Sequence, residues 1–254
     1  MGSRTVDSSF MSAHLPDSVR HGVDHLTESV HEKFRDIKPK LRGWLHLGTA
    51  PLTLVAGIVL VALSPDTTTR IGSAVFTGSA LLLFTVSAIY HTGTWSPRTW
   101  AFLRRFDHSN IFVLIAGSYT PLALMLLGGT QRTVLLLTVW ICAVLGVLFR
   151  VFWTDAPRWL YTPIYIAMGW SALFFIPGFI DGATSRLGTG MAIGVLVLIA
   201  AGGLLYTLGG AVYGFKFPNP SPRWFGFHEV FHSFTILAFA THYIGVSLAT
   251  YSLR

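Results

Sequence analysis

Long apolar runs separated by short polar segments fill the chain after residue 43. They occur at about 44–64, 71–91, 108–128, 133–152, 159–180, 191–213 and 228–250. Each run is close to the ~20 residues that a helix needs to cross a hydrocarbon core about 30 Å thick. Backbone groups in lipid have to be hydrogen-bonded internally, so these runs are predicted to be α-helices. The pattern therefore predicts an all-α, polytopic membrane protein whose seven-transmembrane-helix bundle occupies residues 44–254.

Residues 1–43 differ from the rest of the chain because they are polar and hold 13 of its 29 charged residues. Within this segment, apolar residues recur at steps of three and four over about 18–41, which predicts an amphipathic helix. Such a helix lies on the inner membrane surface or packs on the cytoplasmic loops. We therefore expect a polar cytoplasmic N-terminal segment, 1–43, ahead of the membrane domain.

The composition and charge of the chain narrow its class further. Hydrophobic residues make up 52% and charged residues 11%, whereas soluble domains carry about 25% charged residues. Of the 18 Lys and Arg residues, 14 lie in the N-terminal segment and after the second, fourth and sixth runs. Positive residues favour the cytoplasmic side, so the N-terminus is predicted inside and the C-terminus outside. The net charge of +7 is then a topology signal, and the expected partners are membrane lipids, with no nucleic acid.

Several ionisable residues stand within or at the ends of the predicted spans, where they are costly and mark functional candidates. They are His91, Asp107, His228 and His232, with Ser87 close by in sequence. In the predicted topology all five fall at the cytoplasmic ends of three different spans. Because the orientation count used none of them, their common depth predicts a single site.

The spacing of these residues indicates a metal site. His228 and His232 are four residues apart, as are Ser87 and His91, so each pair shares one helix face. With His91 as third ligand, three imidazoles leave one tetrahedral position open for water, the pattern of a catalytic zinc. Asp107 would orient that water or accept its proton, and Ser87 would hydrogen-bond the water or a reacting carbonyl. The alternative is a metal-free polar network that closes the helix ends.

Residues 228–232 read His-Glu-Val-Phe-His, which matches the H-E-x-x-H motif of zinc peptidases. Glu229 is accordingly a possible secondary residue of the site, as a base or as an interfacial side chain. The Asp181-Gly182 pair that such peptidases would require falls on the predicted outer side and is interpreted as a loop turn. For His46 we favour contact with lipid headgroups, and for His242 a hydrogen bond to a backbone carbonyl. His108 is expected to point away from the site.

These motifs together resemble the haemolysin III family, the bacterial branch of the progestin and adipoQ receptor (PAQR) superfamily. The resemblance rests on Ser87-Ala-Ile-Tyr-His91, Asp107, Ile115-Ala-Gly-Ser-Tyr-Thr-Pro121, His228-Glu-Val-Phe-His232 and Thr241-His242-Tyr243. It implies seven helices with a cytoplasmic N-terminus in a bacterial inner (plasma) membrane. It also implies a zinc ion near the inner leaflet, with His91, His228 and His232 as ligands and Asp107 and Ser87 beside the metal-bound water.

The same resemblance offers three functions. Alkaline ceramidases in the wider superfamily imply a zinc-dependent lipid amidohydrolase, acting on a lipid amide or ester in membrane homeostasis. The haemolysin name implies cytolysis through a pore, although a pore needs a continuous polar path along several spans. The third function is a receptor or membrane-state sensor in which zinc is structural. Adiponectin receptors carry Gln where this chain has Glu229, which favours Asp107 over Glu229 as the proton acceptor.

Overall fold

The computed structural model describes residues 39–254, and Lys40–Arg254 forms one compact unit. The described residues form eight α-helices and contain no β-strand. In chain order the helices are α1 (Trp44–Ala62), α2 (Thr67–Thr92), α3 (Pro97–Leu126), α4 (Gly129–Phe152), α5 (Arg158–Gly169), α6 (Ile176–Leu187), α7 (Thr189–Phe215) and α8 (Phe227–Ser252). A 3₁₀ turn, Ser171–Phe175, joins α5 to α6.

Seven spans in the described residues are long and apolar enough to cross a membrane, which confirms the predicted fold class. The fifth span consists of α5, the 3₁₀ turn and α6 together. Pro177 stands in the first turn of α6, where its missing amide hydrogen costs nothing. Residues 1–38, and with them most of the amphipathic helix predicted at about 18–41, lie outside the described residues. Residues 39–41 at its end are not helical.

Helix α3 begins at Pro97 rather than near residue 108, where the apolar run begins. Ser96 caps it, since the Ser96 hydroxyl oxygen accepts a hydrogen bond of 3.3 Å from the Thr99 amide. Arg98, Arg104 and Arg105 are good helix formers, so the helix continues through a polar stretch that a hydropathy pattern leaves out. Asp107 therefore lies inside α3 and not at its start.

The core of the bundle is built around α2 and α3. Phe76 and Phe84 of α2 and Phe112 of α3 are fully or almost fully buried. By contrast, apolar side chains such as Leu52 and Val55 of α1 remain exposed on the outside of the bundle, as expected for a surface solvated by lipid tails. Helix α3 is thus a central element, and the polar residues of its later turns, such as Ser109, Asn110 and Ser118, are buried.

Exposed tryptophans gather where α1, α3, α5 and α8 begin and where α2, α4 and α7 end. They are Trp44, Trp95, Trp100, Trp153, Trp159 and Trp224. Because successive spans cross the membrane in opposite directions, these helix ends share one side of it. Tryptophan is enriched where lipid headgroups meet the hydrocarbon core, so this end of the bundle lies at an interface. We call it the tryptophan end.

Candidate metal centre

Three histidines meet at the tryptophan end of the bundle. His91 comes from the last turn of α2, and His228 and His232 come from the first two turns of α8. One ring nitrogen from each lies within 4.8 Å of the others, and the Nε2 atoms of His91 and His228 are 3.2 Å apart. All three side chains are at least nine-tenths buried. We refer to these three residues as the histidine cluster.

The separation of two nitrogens in the histidine cluster fits two ligands of one tetrahedral metal ion. Zinc–nitrogen bonds of about 2.0–2.1 Å place two ligand nitrogens roughly 3.3 Å apart, close to the 3.2 Å between His91 and His228. Nδ1 of His232 is buried and has no hydrogen-bond partner among the described residues. The structure therefore shows a candidate metal site of three imidazoles, a donor set that suits zinc and also other divalent ions.

Asp107 and Ser87, the two predicted catalytic residues, lie beside the cluster. Oδ2 of Asp107 is 3.7 Å from Nε2 of His91. The Ser87 side chain, one helical turn before His91 on α2, lies within reach of the Asp107 carboxylate. The structure thus brings together five residues from three helices that the sequence predicted to be neighbours. Their roles as ligands and catalytic groups remain predictions.

Glu229 lies in the same helical turn as the cluster but makes different contacts. Its Oε2 accepts a hydrogen bond of 2.7 Å from the Gly226 amide, which caps α8. Its Oε1 accepts a hydrogen bond from the Arg42 guanidinium, and the Glu229 side chain is fully buried. Both carboxylate oxygens are therefore engaged in holding the start of α8. Asp181 and Gly182 lie within α6, so the loop turn interpreted there was wrong.

His46 of α1 lies against the cluster instead of contacting headgroups, as the sequence had favoured. Its ring stacks on that of His232, with centroids 3.8 Å apart, and only 2% of the residue is exposed. Gly43 makes this approach possible, since a Cβ there would stand 2.7 Å from Cβ of His91, and its φ of +85° suits glycine. Sequence reasoning missed His46, although it occupies the same predicted depth as the cluster.

A second polar group borders the site on the side of α3 and α7. Nδ1 of His108 lies 2.7 Å from the Arg104 carbonyl oxygen, and its Nε2 lies 3.2 Å from the Tyr213 hydroxyl. That hydroxyl is 3.1 Å from the hydroxyl of Tyr161. His108 and Tyr213 line the same cavity as Asp107, so the expectation that His108 points away from the site was wrong.

Two histidines of the cluster, His228 and His232, line a cavity of about 390 Å³. At the tryptophan end the cavity is lined by His46, Ser87, Asp107, His228 and His232. Farther in, its walls are mostly apolar, with polar side chains only at intervals, and they include His242 and Phe179. His242 follows His232 by ten residues on α8, about 15 Å along the helix axis. The cavity is thus long and apolar, with its ionisable residues concentrated at one end.

The fold and the site define a multi-pass membrane protein with a candidate metal centre inside a seven-span bundle. The family model described as "Haemolysin-III related" matches residues 34–243. "Hemolysin-3 homolog" of Bacillus subtilis (strain 168) is 35% identical over 162 residues, which cover 64% of this chain and 69% of the relative. "Hemolysin-3" of Bacillus cereus is 30% identical over 188 residues, 72% of this chain and 82% of the relative. The chain belongs to the haemolysin III family.

Proposed function

We propose that this protein is a zinc-dependent hydrolase of a lipid amide or ester that takes part in membrane-lipid homeostasis. One observation carries the proposal: three imidazoles, a carboxylate and a hydroxyl converge at the end of a long apolar cavity. Apolar walls suit the hydrocarbon chain of a lipid. The polar end suits the amide or ester group at the head of that chain.

In this proposal His91, His228 and His232 hold the zinc ion. When bound, zinc polarises a carbonyl group and lowers the pKa of water to about 7. Asp107 stands 3.7 Å from His91 and accepts the proton of the attacking water. It then passes the proton to the leaving amine or alcohol as the C–N or C–O bond breaks. A single carboxylate therefore serves as base and then as acid.

Ser87 acts through Asp107 in this scheme. A serine hydroxyl has one hydrogen to donate, and in this proposal Ser87 donates it to the nearby Asp107 carboxylate. Ser87 thus holds the carboxylate beside the cluster until a substrate oxyanion offers a competing acceptor. Glu229 takes no part, because Arg42 and the Gly226 amide engage both of its carboxylate oxygens.

We further propose that the site faces the cytoplasmic leaflet of the plasma membrane. The excess of Lys and Arg lies in the N-terminal segment and in the helix ends and loops at the tryptophan end, and positive residues favour the cytoplasm. A reporter enzyme that is active only outside the cytoplasm should be active when fused after Arg254 and inactive when fused after Phe217. The opposite pattern of activity would invert the proposed topology.

Metal removal tests the proposed hydrolysis directly. Detergent-purified protein is incubated with N-acyl and O-acyl lipids before and after treatment with a chelator, and the released fatty acid is measured. We expect release to stop after chelation and to return on addition of zinc but not of calcium, which prefers oxygen ligands. Full activity in the metal-free protein would refute the proposal. Zinc-loaded, folded protein that hydrolyses none of these lipids would instead favour the sensor.

Cytolysis is a second candidate because the curated relatives carry the name hemolysin. A pore requires polar groups along its whole length, whereas the ionisable residues of this cavity concentrate at the tryptophan end. Conductance across planar bilayers containing the purified protein distinguishes the two functions. Metal-independent conductance without lipid hydrolysis would favour the cytolysin.

A further inference from the structure

Two buried polar atoms in the cavity lie far from the histidine cluster. They are the hydroxyl of Tyr206 on α7 and Nδ1 of His242 on α8. Neither atom has a hydrogen-bond partner among the described residues. The two rings meet edge to face with their centroids 5.5 Å apart, and both residues line the cavity. They form a small polar patch in a largely apolar cavity wall.

Most other polar side chains in this part of the cavity are already satisfied, although the Thr162 hydroxyl in the first turns of α5 also has no partner among the described residues. The Thr207 hydroxyl donates to the Gly203 carbonyl at 2.8 Å and accepts from the Trp170 indole at 2.9 Å. The hydroxyls of Ser118 and Thr235 donate to carbonyls one turn back on their own helices. Because buried polar groups are nearly always paired, the unpaired atoms of Tyr206 and His242 indicate a place for a polar group of a ligand.

The orientation of His242 defines which polar group would fit. Its Nε2 lies 3.1 Å from the carbonyl oxygen of Ile199, and a carbonyl only accepts, so Nε2 carries the hydrogen. Nδ1 of the neutral ring is then an acceptor. Gly202 makes room for this ring, since a Cβ there would stand 2.2 Å from Cδ2 of His242. With Tyr206 as donor and Nδ1 as acceptor, the pair is complementary to a hydroxyl group.

We propose that Tyr206 and His242 form a subsite for a hydroxyl group carried midway along the hydrocarbon chain of the bound lipid. The position follows from the helix, which separates His242 from His232 by about 15 Å. The inference rests on the proposed function in one respect, namely that the head of the lipid lies at the histidine cluster. The substrate class is therefore a lipid with a mid-chain hydroxylated acyl group.

Competition binding with three acids of equal length tests this subsite. The probes are octadecanoic acid, its isomer with a hydroxyl near the middle of the chain, and its isomer with the hydroxyl beside the carboxyl group. Each displaces a fluorescent fatty acid from the full-length protein in detergent. We expect the wild type to bind the acid with the mid-chain hydroxyl more tightly than the unsubstituted acid. In Tyr206→Phe the ratio of these two affinities should fall about fivefold to tenfold. The hydroxyl beside the carboxyl group should bring no such preference.

Tyr243→Phe is the matched control, because it removes the same atom one residue from His242. The Tyr243 hydroxyl donates to the Ala56 carbonyl at 2.9 Å, and Tyr243 does not line the cavity. This variant should keep the wild-type preference. His242→Phe is a second test of the subsite that does not depend on the folding of Tyr206→Phe, and it should lose the preference.

Three results would overturn the subsite. They are an undiminished preference in Tyr206→Phe or His242→Phe, equal affinity of the wild type for all three acids, and failure of the wild type to bind any of them. Zinc content and lipid hydrolysis are measured on the same samples. If the wild type holds no zinc or hydrolyses no lipid but still prefers the acid with the mid-chain hydroxyl, the proposed function is refuted and the subsite is not.

Discussion

The double variant His228→Ala/His232→Ala will retain no stoichiometric zinc, whereas the wild-type protein will hold about one zinc ion per chain. The two substitutions leave His91 as the sole imidazole of the cluster, and one imidazole does not retain a metal through purification. The measurement is elemental analysis of detergent-purified protein, with helical content followed by circular dichroism. We expect both proteins to be helical, because the apolar packing of α8 against its neighbours is unchanged.

His108→Ala is the matched control for the loss of zinc. His108 is also a histidine at the polar end of the cavity, but it bonds Arg104 and Tyr213 and does not belong to the cluster. We expect this variant to keep its zinc. Folded wild-type protein without any metal would contradict the metal site, and the cluster would then be the metal-free polar network considered from the sequence.

Much of the fold could be predicted from hydropathy because lipid leaves a helix as the one solution for each apolar run. The hydropathy pattern gave wrong bounds where a helix contains polar residues and where an apolar run is not α-helical along its whole length. Helix α3 extends back to Pro97 through three arginines, and the fifth span is interrupted at Ser171–Phe175 within a run that is mostly apolar. Hydropathy measures the cost of transfer to lipid, and neither the Ser96 cap nor a local 3₁₀ turn changes that cost much.

The residues that meet at the candidate site could be predicted where sequence spacing defines the helix face of a residue and its depth in the membrane. His228 and His232, four residues apart, had to share a face of one helix, and the topology placed His91 and Asp107 at the same depth. The side-on approach of α1 could not be predicted, because it depends on the contact of Gly43 with His91. His46 was therefore missed. The ion pair of Glu229 with Arg42 is likewise a tertiary contact without a sequence motif.

Asp107→Asn will reduce lipid hydrolysis by ~10²–10⁴-fold, the range of general acid–base catalysis, while zinc content stays at the wild-type level. Asn has the size of Asp and retains an oxygen that can accept a hydrogen bond from the nearby Ser87, so the variant removes the proton acceptor and little else. The loss should appear in kcat rather than in KM, because the hydrocarbon chain still fills the cavity. The measurement is kcat, obtained from the fatty acid released at saturating lipid. An unchanged kcat would exclude Asp107 as the acid–base group.

Glu229→Gln is the comparison that decides between the two carboxylates of the site. Its carbonyl oxygen can still accept from one of the former partners, but the Arg42 guanidinium loses its charged partner. Removing one charge from a buried pair is strongly destabilising, so we expect a lower melting temperature in detergent. Catalysis in the protein that remains folded should change less than tenfold, since Glu229 does not line the cavity. If Glu229→Gln abolished hydrolysis and Asp107→Asn did not, Glu229 would be the base, as in the zinc peptidases that share its motif.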